Sequence, residues 1–464
     1  MGNEASTVKS INPATGEVFA ETKMSTQEEV NAAVQKAKEA YPKWSGLSDE
    51  ERKSYLAKAA EAVKASTKEL AELITKEQGK PLFPGGPGSL FEAGACSTWI
   101  EANLAHKLEP EVLVEDDTMR AELHRVSLGV FGIITPWNWP TIISTWCVIP
   151  ALRTGNTVVL KPSEYTTQCV VELIKTINSV LPEGVLNVVI GDGSVGAMLT
   201  GHPDLAKIVF TGSTRTGKKI AEAASKSLAR VTLECGGNDA GILLKGTKME
   251  GPRAMDLFWG CMLNSGQTCA VIKRLYVHED DVDRITNALD EIAGSMKMGN
   301  GLEEGTLLGP LSNKMQYDIV VDLVEDAKKN GGKIIRGGSP MPDTKGYFFP
   351  VTIITGLDNG SKLVDNEQFG PVIVIISYKT IDEAVTKAND SKSALGASVW
   401  GDDLKEAQAV GSRLVAGTVW INQHAALHPL VPFGGVKDSG YGVESGALGL
   451  LGTTATKVIN IKKA

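Results

Sequence analysis

Cysteine is scarce in this chain and follows no pattern. The six residues, at positions 96, 147, 169, 235, 261 and 269, contain no C-x-x-C pair and no regular spacing. That argues against a disulfide framework or a structural zinc site and fits reduced thiols in a cytoplasmic protein, with no metal expected. No apolar run is long enough to cross a bilayer, and no charged-then-apolar leader opens the chain, so neither a membrane span nor a signal peptide is expected. A basic excess is missing too. With a formal charge of -8 the surface would not displace counterions from phosphates, which excludes a sequence-independent nucleic-acid binder. Acidic or basic tails, internal repeats and low-complexity tracts are also absent. Met1-Gly2-Asn3-Glu4-Ala5-Ser6 matches the N-myristoylation pattern in letters. One acyl chain binds membranes weakly and no polybasic patch follows it, so no stable membrane association is expected.

What is present is an ordinary globular composition. The 464 residues, 42% hydrophobic and 22% charged, suffice for two or three domains with full cores. Two amphipathic helices are expected near the start, each announced by a capping box: Ser25 with Glu28, and Ser48 with Glu51. The proline- and glycine-rich stretch from Lys80 to Gly88 reads as a loop that closes this helical pair. From Val126 short β-rich runs alternate with helical ones, at 126–134, 157–161, 186–190, 207–210, 231–234 and 241–244. Such alternation predicts βαβ units on a parallel sheet. A second series, at 275–278, 333–335, 351–355, 372–378 and 418–422, predicts a second α/β domain, with Cys269 near the junction. The charged, alternating stretch 111–125 and the tail 453–461 fit neither series and are expected to pair as strands outside the main sheets.

Two glycine-rich turns invite a nucleotide. Gly191-Asp192-Gly193-Ser194-Val195-Gly196 fits G-x-G-x-x-G between a strand-like run and a helix, but the acid expected about twenty residues on is missing, leaving structural turn and phosphate loop both open. The stretch from Gly212 to Lys219 nearly spells a P-loop. Lys219 stands where the magnesium-binding hydroxyl belongs, so phosphoryl transfer is disfavoured, while a helix start with free N–H groups still suits a pyrophosphate.

The chemistry gathers at three places. Asn264-Ser265-Gly266-Gln267-Thr268-Cys269 sets a cysteine behind a Gly-Gln turn, suggesting a nucleophile, whereas a lone cysteine is otherwise a small buried hydrophobe, as expected for the other five. A Cys-His hydrolase competes, but no histidine has a recognisable partner frame. Glu234 precedes the pair Gly236-Gly237 and alone would be an ordinary strand-end carboxylate. Thr135-Pro136-Trp137-Asn138-Trp139-Pro140 pins an amide side chain between two prolines.

These motifs, in this order and within a stretch from Ile11-Asn12-Pro13 to Lys437-Asp438-Ser439-Gly440, resemble the NAD(P)-dependent aldehyde dehydrogenase superfamily. The resemblance implies an α/β fold: a Rossmann-like NAD-binding domain (1–106 and 127–236), an α/β catalytic domain (237–438) and a small β oligomerisation arm (107–126 and 450–464), assembled as a homodimer or homotetramer. It implies Cys269 as nucleophile toward the aldehyde, Asn138 and the Cys269 N–H as oxyanion donors, and Glu234 as the base that activates water against the thioester. Thr135, Trp137, Lys161, Glu164, Gly212, Ser213, Gly217, Glu367 and Phe369 are the implied cofactor contacts. Alone, Lys161 and Glu367 would read as surface salt-bridge partners. Glu164 would accept both ribose hydroxyls and repel a 2′-phosphate, favouring NAD over NADP. Trp139, Ile143, Trp146, Thr268, Leu427 and Phe433 are the implied substrate walls, apolar and aromatic. No arginine lies between Arg125 and Arg153, which disfavours a carboxylate-bearing semialdehyde. Two tryptophans keep betaine aldehyde open as a substrate. Cys147 stands where the family often has a basic residue and Asn238 where a lysine is common. The expected reaction is oxidation of an aliphatic or aromatic aldehyde to the acid. A CoA-acylating dehydrogenase and a non-catalytic scaffold of the same fold are the alternatives.

Overall fold

The computed structural model describes residues 6–82, 88–342 and 344–463. Gly2 and the centre of the Lys80–Gly88 stretch therefore lie outside the described residues.

The first element is a hairpin, Thr7–Ile11 with Val18–Lys23, that the sequence reading did not contain. The helix Gln27–Ser45 follows, and its capping box is Thr26 with Glu29, not Ser25 with Glu28. Both letter pairs satisfy the motif, and a tertiary contact decides between them. Ser25 Oγ accepts from the Ile190 N–H at 3.0 Å and is unavailable as a cap. Ser48 and Glu51 cap the next helix, Asp49–Ala65, as expected. Two more helices, Thr67–Gln78 and Ser89–Ala105, complete the group, so the Lys80–Gly88 stretch follows a third helix and does not close a pair.

A six-stranded sheet lies in the order Gly440–Tyr441, Arg230–Glu234, Leu205–Thr211, Val130–Ile134, Thr157–Lys161 and Leu186–Val188. All its pairings are parallel except that of Gly440–Tyr441. Alternate residues face opposite ways. Phe131 and Ile133 pack under the helices Asp49–Ala65, Ser89–Ala105 and Pro140–Arg153, while Val130 and Ile134 pack on the other side with Ile208 and Phe210. The strand order reverses between Val130–Ile134 and Leu205–Thr211, which makes a crevice at the carboxyl ends of the strands.

A seven-stranded sheet runs Lys333–Arg336, Thr352–Thr355, Val372–Tyr378, Ile272–His278, Asp239–Leu243, Gly396–Trp400 and Thr418–Ile421, with only the first strand antiparallel. Two corrections follow. The run 241–244, expected in the first series, instead belongs to Asp239–Leu243 inside the second sheet, between Ile272–His278 and Gly396–Trp400. The chain crosses at Gly236-Gly237, where a Cβ on Gly237 would come within 2.6 Å of the Cys269 carbonyl oxygen, so glycine is required. Gly396–Trp400 was missed, because Gly, Ala and Ser carry little β signal although every residue in it is buried.

A three-stranded sheet joins Thr454–Lys462, Met119–Ser127 and Glu111–Glu115, all antiparallel. The expected run 126–134 is therefore broken. It splits at Leu128-Gly129, with Gly129 at φ +136°, and the two pieces belong to different sheets.

Candidate active site

The helix Pro252–Met262 ends in a turn whose residues Asn264, Ser265 and Gly266 all have positive φ, at 54°, 55° and 75°. Such backbone persists only when its surroundings hold it. Gly266 has no room for a Cβ, which would stand 2.0 Å from the Gly370 carbonyl oxygen. Gln267 spends its whole amide on the loop. Nε2 donates to the Asn264 and Pro310 carbonyls, and Oε1 accepts from the Ser312 N–H at 2.8 Å. The Asn138 amide donates to the Gln267 carbonyl at 3.0 Å, and the Asn264 amide returns a bond to the Asn138 carbonyl at 2.9 Å. Trp139 Nε1 donates to Thr268 Oγ1 at 2.8 Å. The two distant motifs are thus stitched together, and Asn138 keeps a second N–H that makes no bond among the described residues.

Cys269 keeps partial exposure, unlike the other five cysteines, all buried. It lies on a cavity of about 200 Å³ whose walls include Trp139, Ile143, Trp146, Thr268, Leu427 and Phe433, the six expected residues. Phe91, Ala95 and Trp99 form a wall that was not foreseen, although their spacing of four is a helical stripe. Among the described residues no charged side chain lines this cavity. Burial pushes the thiol up to about 12, opposed chiefly by the Lys273 ammonium. Lys273 is itself buried. It donates to the Thr268 and Cys269 carbonyls at 2.7 and 3.0 Å and lies 3.5 Å from Glu367 Oε1. A Cys-His pairing gains no support, since His424, on the loop that supplies Leu427, shares a hydrogen bond with Ser398 Oγ at 2.9 Å and faces Asp239 at 3.3 Å.

Glu234 ends its strand with both carboxylate oxygens buried and without a hydrogen-bond partner. Burial, and secondarily the charge of Glu444, hold its pKa well above the carboxylate range. Gly434 makes the space, as a Cβ there would be 3.2 Å from Glu234 Oε1. Glu234 does not line the cavity, though its charge is close enough to raise the Cys269 thiol.

The implied cofactor residues fall along the strand ends. Lys161 Nζ donates to the Pro162 and Gly191 carbonyls at 2.8 and 2.6 Å and stands 4.0 Å from Glu164 Oε2. That gap is too wide for a hydrogen bond, so one lysine N–H and a partly exposed carboxylate are left for a ribose diol. Ser213 caps the helix Thr214–Ser225 by accepting from the Thr216 N–H, with Gly212 before it and Gly217 against Cys235. Thr135 is buried, its Oγ1 accepting from Ser144. Trp137 and Phe369 meet edge to face at 5.3 Å. Glu367 accepts from the Gly237 N–H at 3.1 Å, and its pKa is raised to about 7 by burial against the pull of Lys273. These groups fit a dinucleotide at the crevice. The Gly191–Gly196 turn favours the structural reading, because Asp192 caps the short helix Gly193–Thr200 with its own carboxylate. Cys147 is buried in the core below, and Asn238 donates to the Val364 carbonyl at 2.9 Å, so neither departure leaves a disordered gap.

A cysteine, an amide and a dinucleotide crevice joined in this way agree with the sequence comparison, in which the aldehyde dehydrogenase family profile matches residues 1–459. The chain belongs to the aldehyde dehydrogenase family. Phenylacetaldehyde dehydrogenase of Pseudomonas fluorescens is 37% identical over 98% of this chain and 92% of its own length. The peroxisomal aminoaldehyde dehydrogenase 2 of Pisum sativum is 36% identical over 95% of this chain and 89% of its own. Among solved structures, aldehyde dehydrogenase C of Pseudomonas syringae, in complex with NAD+ and octanal, superposes with a TM-score of 0.92 at 33% identity, covering 98% of this chain and 93% of that one. The protein is therefore a dehydrogenase that oxidises an aldehyde with a nicotinamide cofactor. Among the described residues no helix is long and apolar enough to cross a membrane.

Proposed function

We propose that this dehydrogenase oxidises medium-sized apolar aldehydes, aliphatic or aromatic, to carboxylic acids with NAD in preference to NADP. The observation that carries this is the partly exposed Cys269 on a cavity of about 200 Å³ with no charged side chain among its described walls, and the Asn138 amide bonded to the Gln267 carbonyl two residues before that cysteine. The Cys269 sulfur attacks the aldehyde carbon as its thiol proton passes to solvent, and the Asn138 amide with the Cys269 N–H holds the oxyanion. When bound, the nicotinamide ring supplies the hydride acceptor. Lys161, Glu164 and Ser213 hold the adenosine half and pyrophosphate, and Glu367 and Phe369 orient the other half. Glu234 rotates from its buried position and takes a proton from the water that cleaves the thioester.

A cationic aldehyde such as betaine aldehyde is disfavoured. One face of Trp139 is already covered by the Lys80 ammonium, 3.5 Å from the ring centroid, and the described residues of the cavity wall offer no carboxylate. The presence of Glu234 favours water over CoA as acyl acceptor. The three-stranded sheet exposes Val112, Leu113, Val114, Val458, Ile459 and Ile461, which supports a homodimer or homotetramer built through it. The six free cysteines support a reducing, cytoplasmic setting.

The deciding experiment mixes protein with NAD or NADP and acetaldehyde, hexanal, benzaldehyde or betaine aldehyde, with and without CoA, and follows absorbance of the reduced cofactor. Hexanal and benzaldehyde are expected to react fastest, with NAD and without CoA. Strict CoA dependence would make the enzyme an acylating one, and a flat trace throughout would favour a scaffold.

A further inference from the structure

Beneath the substrate cavity lies an ion pair with no exposure at either side chain: Lys80 Nζ is 2.6 Å from Glu92 Oε2. Its remaining bonds all point at one segment. Lys80 Nζ donates to the Asn138 carbonyl at 2.8 Å and covers the Trp139 ring. Glu92 Oε1 accepts from the Thr141 N–H at 2.8 Å, the Thr141 hydroxyl at 2.9 Å and the Ile142 N–H at 3.3 Å, which are donors of the first turn of the helix Pro140–Arg153. A carboxylate there also complements the helix dipole. Glu92 is one residue after Phe91 on the helix that forms one cavity wall, and Thr141 precedes Ile142 and Ile143 on the other.

We propose that Lys80, held by Glu92, is the positioning residue for the oxyanion donor: it fixes the Asn138–Trp139 peptide from below, while Gln267 and Asn264 fix it from the side of Cys269. The arrangement explains why two charges are kept in a dry core, where an apolar pair would serve stability as well. A donor preset before the negative charge develops needs no reorganisation during the reaction, and that presetting requires the Asn138 carbonyl to be anchored. Lys80 touches neither substrate nor cofactor in this role. Its effect passes through Asn138, so the inference rests on the oxyanion reading above.

The test is a double-mutant cycle on the NAD-reduction burst with hexanal, comparing wild type, Lys80→Met, Asn138→Ala and the combination. Because Lys80→Met strands a buried carboxylate, the cycle is repeated with Lys80→Met/Glu92→Gln, which removes the whole charge pair. Asn138→Ala is expected to slow the burst by roughly a hundredfold, and Lys80→Met by roughly tenfold, with little further loss when the two are combined. Alkylation of Cys269 by iodoacetamide, which develops no oxyanion, is expected to keep its rate. Losses that multiply fully in the combined variant, an unchanged burst in the Lys80 variants, or alkylation slowed in parallel would make the pair purely structural and overturn the proposal. Failure of both Lys80 variants to yield folded, NAD-binding protein would do the same. A wild-type burst in Asn138→Ala would instead bring down the oxyanion reading itself, and this inference with it.

Discussion

Two carboxylates flank this site and are buried in opposite ways. Glu92 has every role filled, with an ammonium on one oxygen and three donors on the other. Glu234, also buried, has neither oxygen bonded and a pKa well above the carboxylate range. A compensated charge acts as architecture, because every movement breaks a bond. An uncompensated one is held at a cost, which is what a group that must move and exchange a proton requires.

The comparison can be broken most sharply at the nucleophile that both carboxylates serve. Cys269→Ala should leave the fold intact and lower turnover by roughly a thousandfold or more. Appreciable turnover in this variant would show that the chemistry lies elsewhere. Replacing each carboxylate by leucine then sets the two regions directly against each other in thermal or denaturant unfolding. Glu92→Leu leaves Lys80 buried and unpaired and should cost about 3–5 kcal/mol, whereas Glu234→Leu removes an unbonded carboxyl and should be neutral or stabilising. The pH dependence sharpens this contrast. The folded state holds the Glu234 proton above the ordinary carboxylate range, so this group's stabilising contribution is complete at low pH and is lost as pH rises through its folded pKa. Glu234→Leu should remove that slope. Equal stability losses in the two variants would erase the distinction. The smallest expected effect is on the rim, where Glu164 stands partly exposed beside Lys161. Glu164→Gln should narrow the preference for NAD over NADP by roughly tenfold, read from kcat/KM with each cofactor, and an unchanged ratio would remove Glu164 from cofactor choice.

How much of this was legible in the sequence differs between the regions. Strands with strong β-branched runs, such as Thr157–Lys161 and Val372–Tyr378, were readable to the residue. Gly396–Trp400 was not, because its burial comes from neighbouring strands and not from its own composition. Ser25 lost its capping role to a contact across the chain that no local pattern reveals. The Cys269, Asn138 and pocket motifs were legible as residue types, and their meeting depends on reciprocal bonds between 138 and 264–267. Lys80 and Glu92 had no signal beyond two ordinary charges twelve positions apart, since only the packing of helices makes them a pair. The withdrawn position of Glu234 was equally hidden, as sequence fixes a carboxylate's place on a strand but not its rotamer.

The most direct measurement of the central claim is a rapid-mixing trace of NAD reduction by Glu234→Gln with hexanal. The expected result is a burst of about one reduced cofactor per active site, near the wild-type rate, followed by a steady state slowed by roughly a hundredfold. A steady state equal to that of wild type, or loss of the burst itself, would contradict the assignment of Glu234 as the base that releases the acyl group from Cys269.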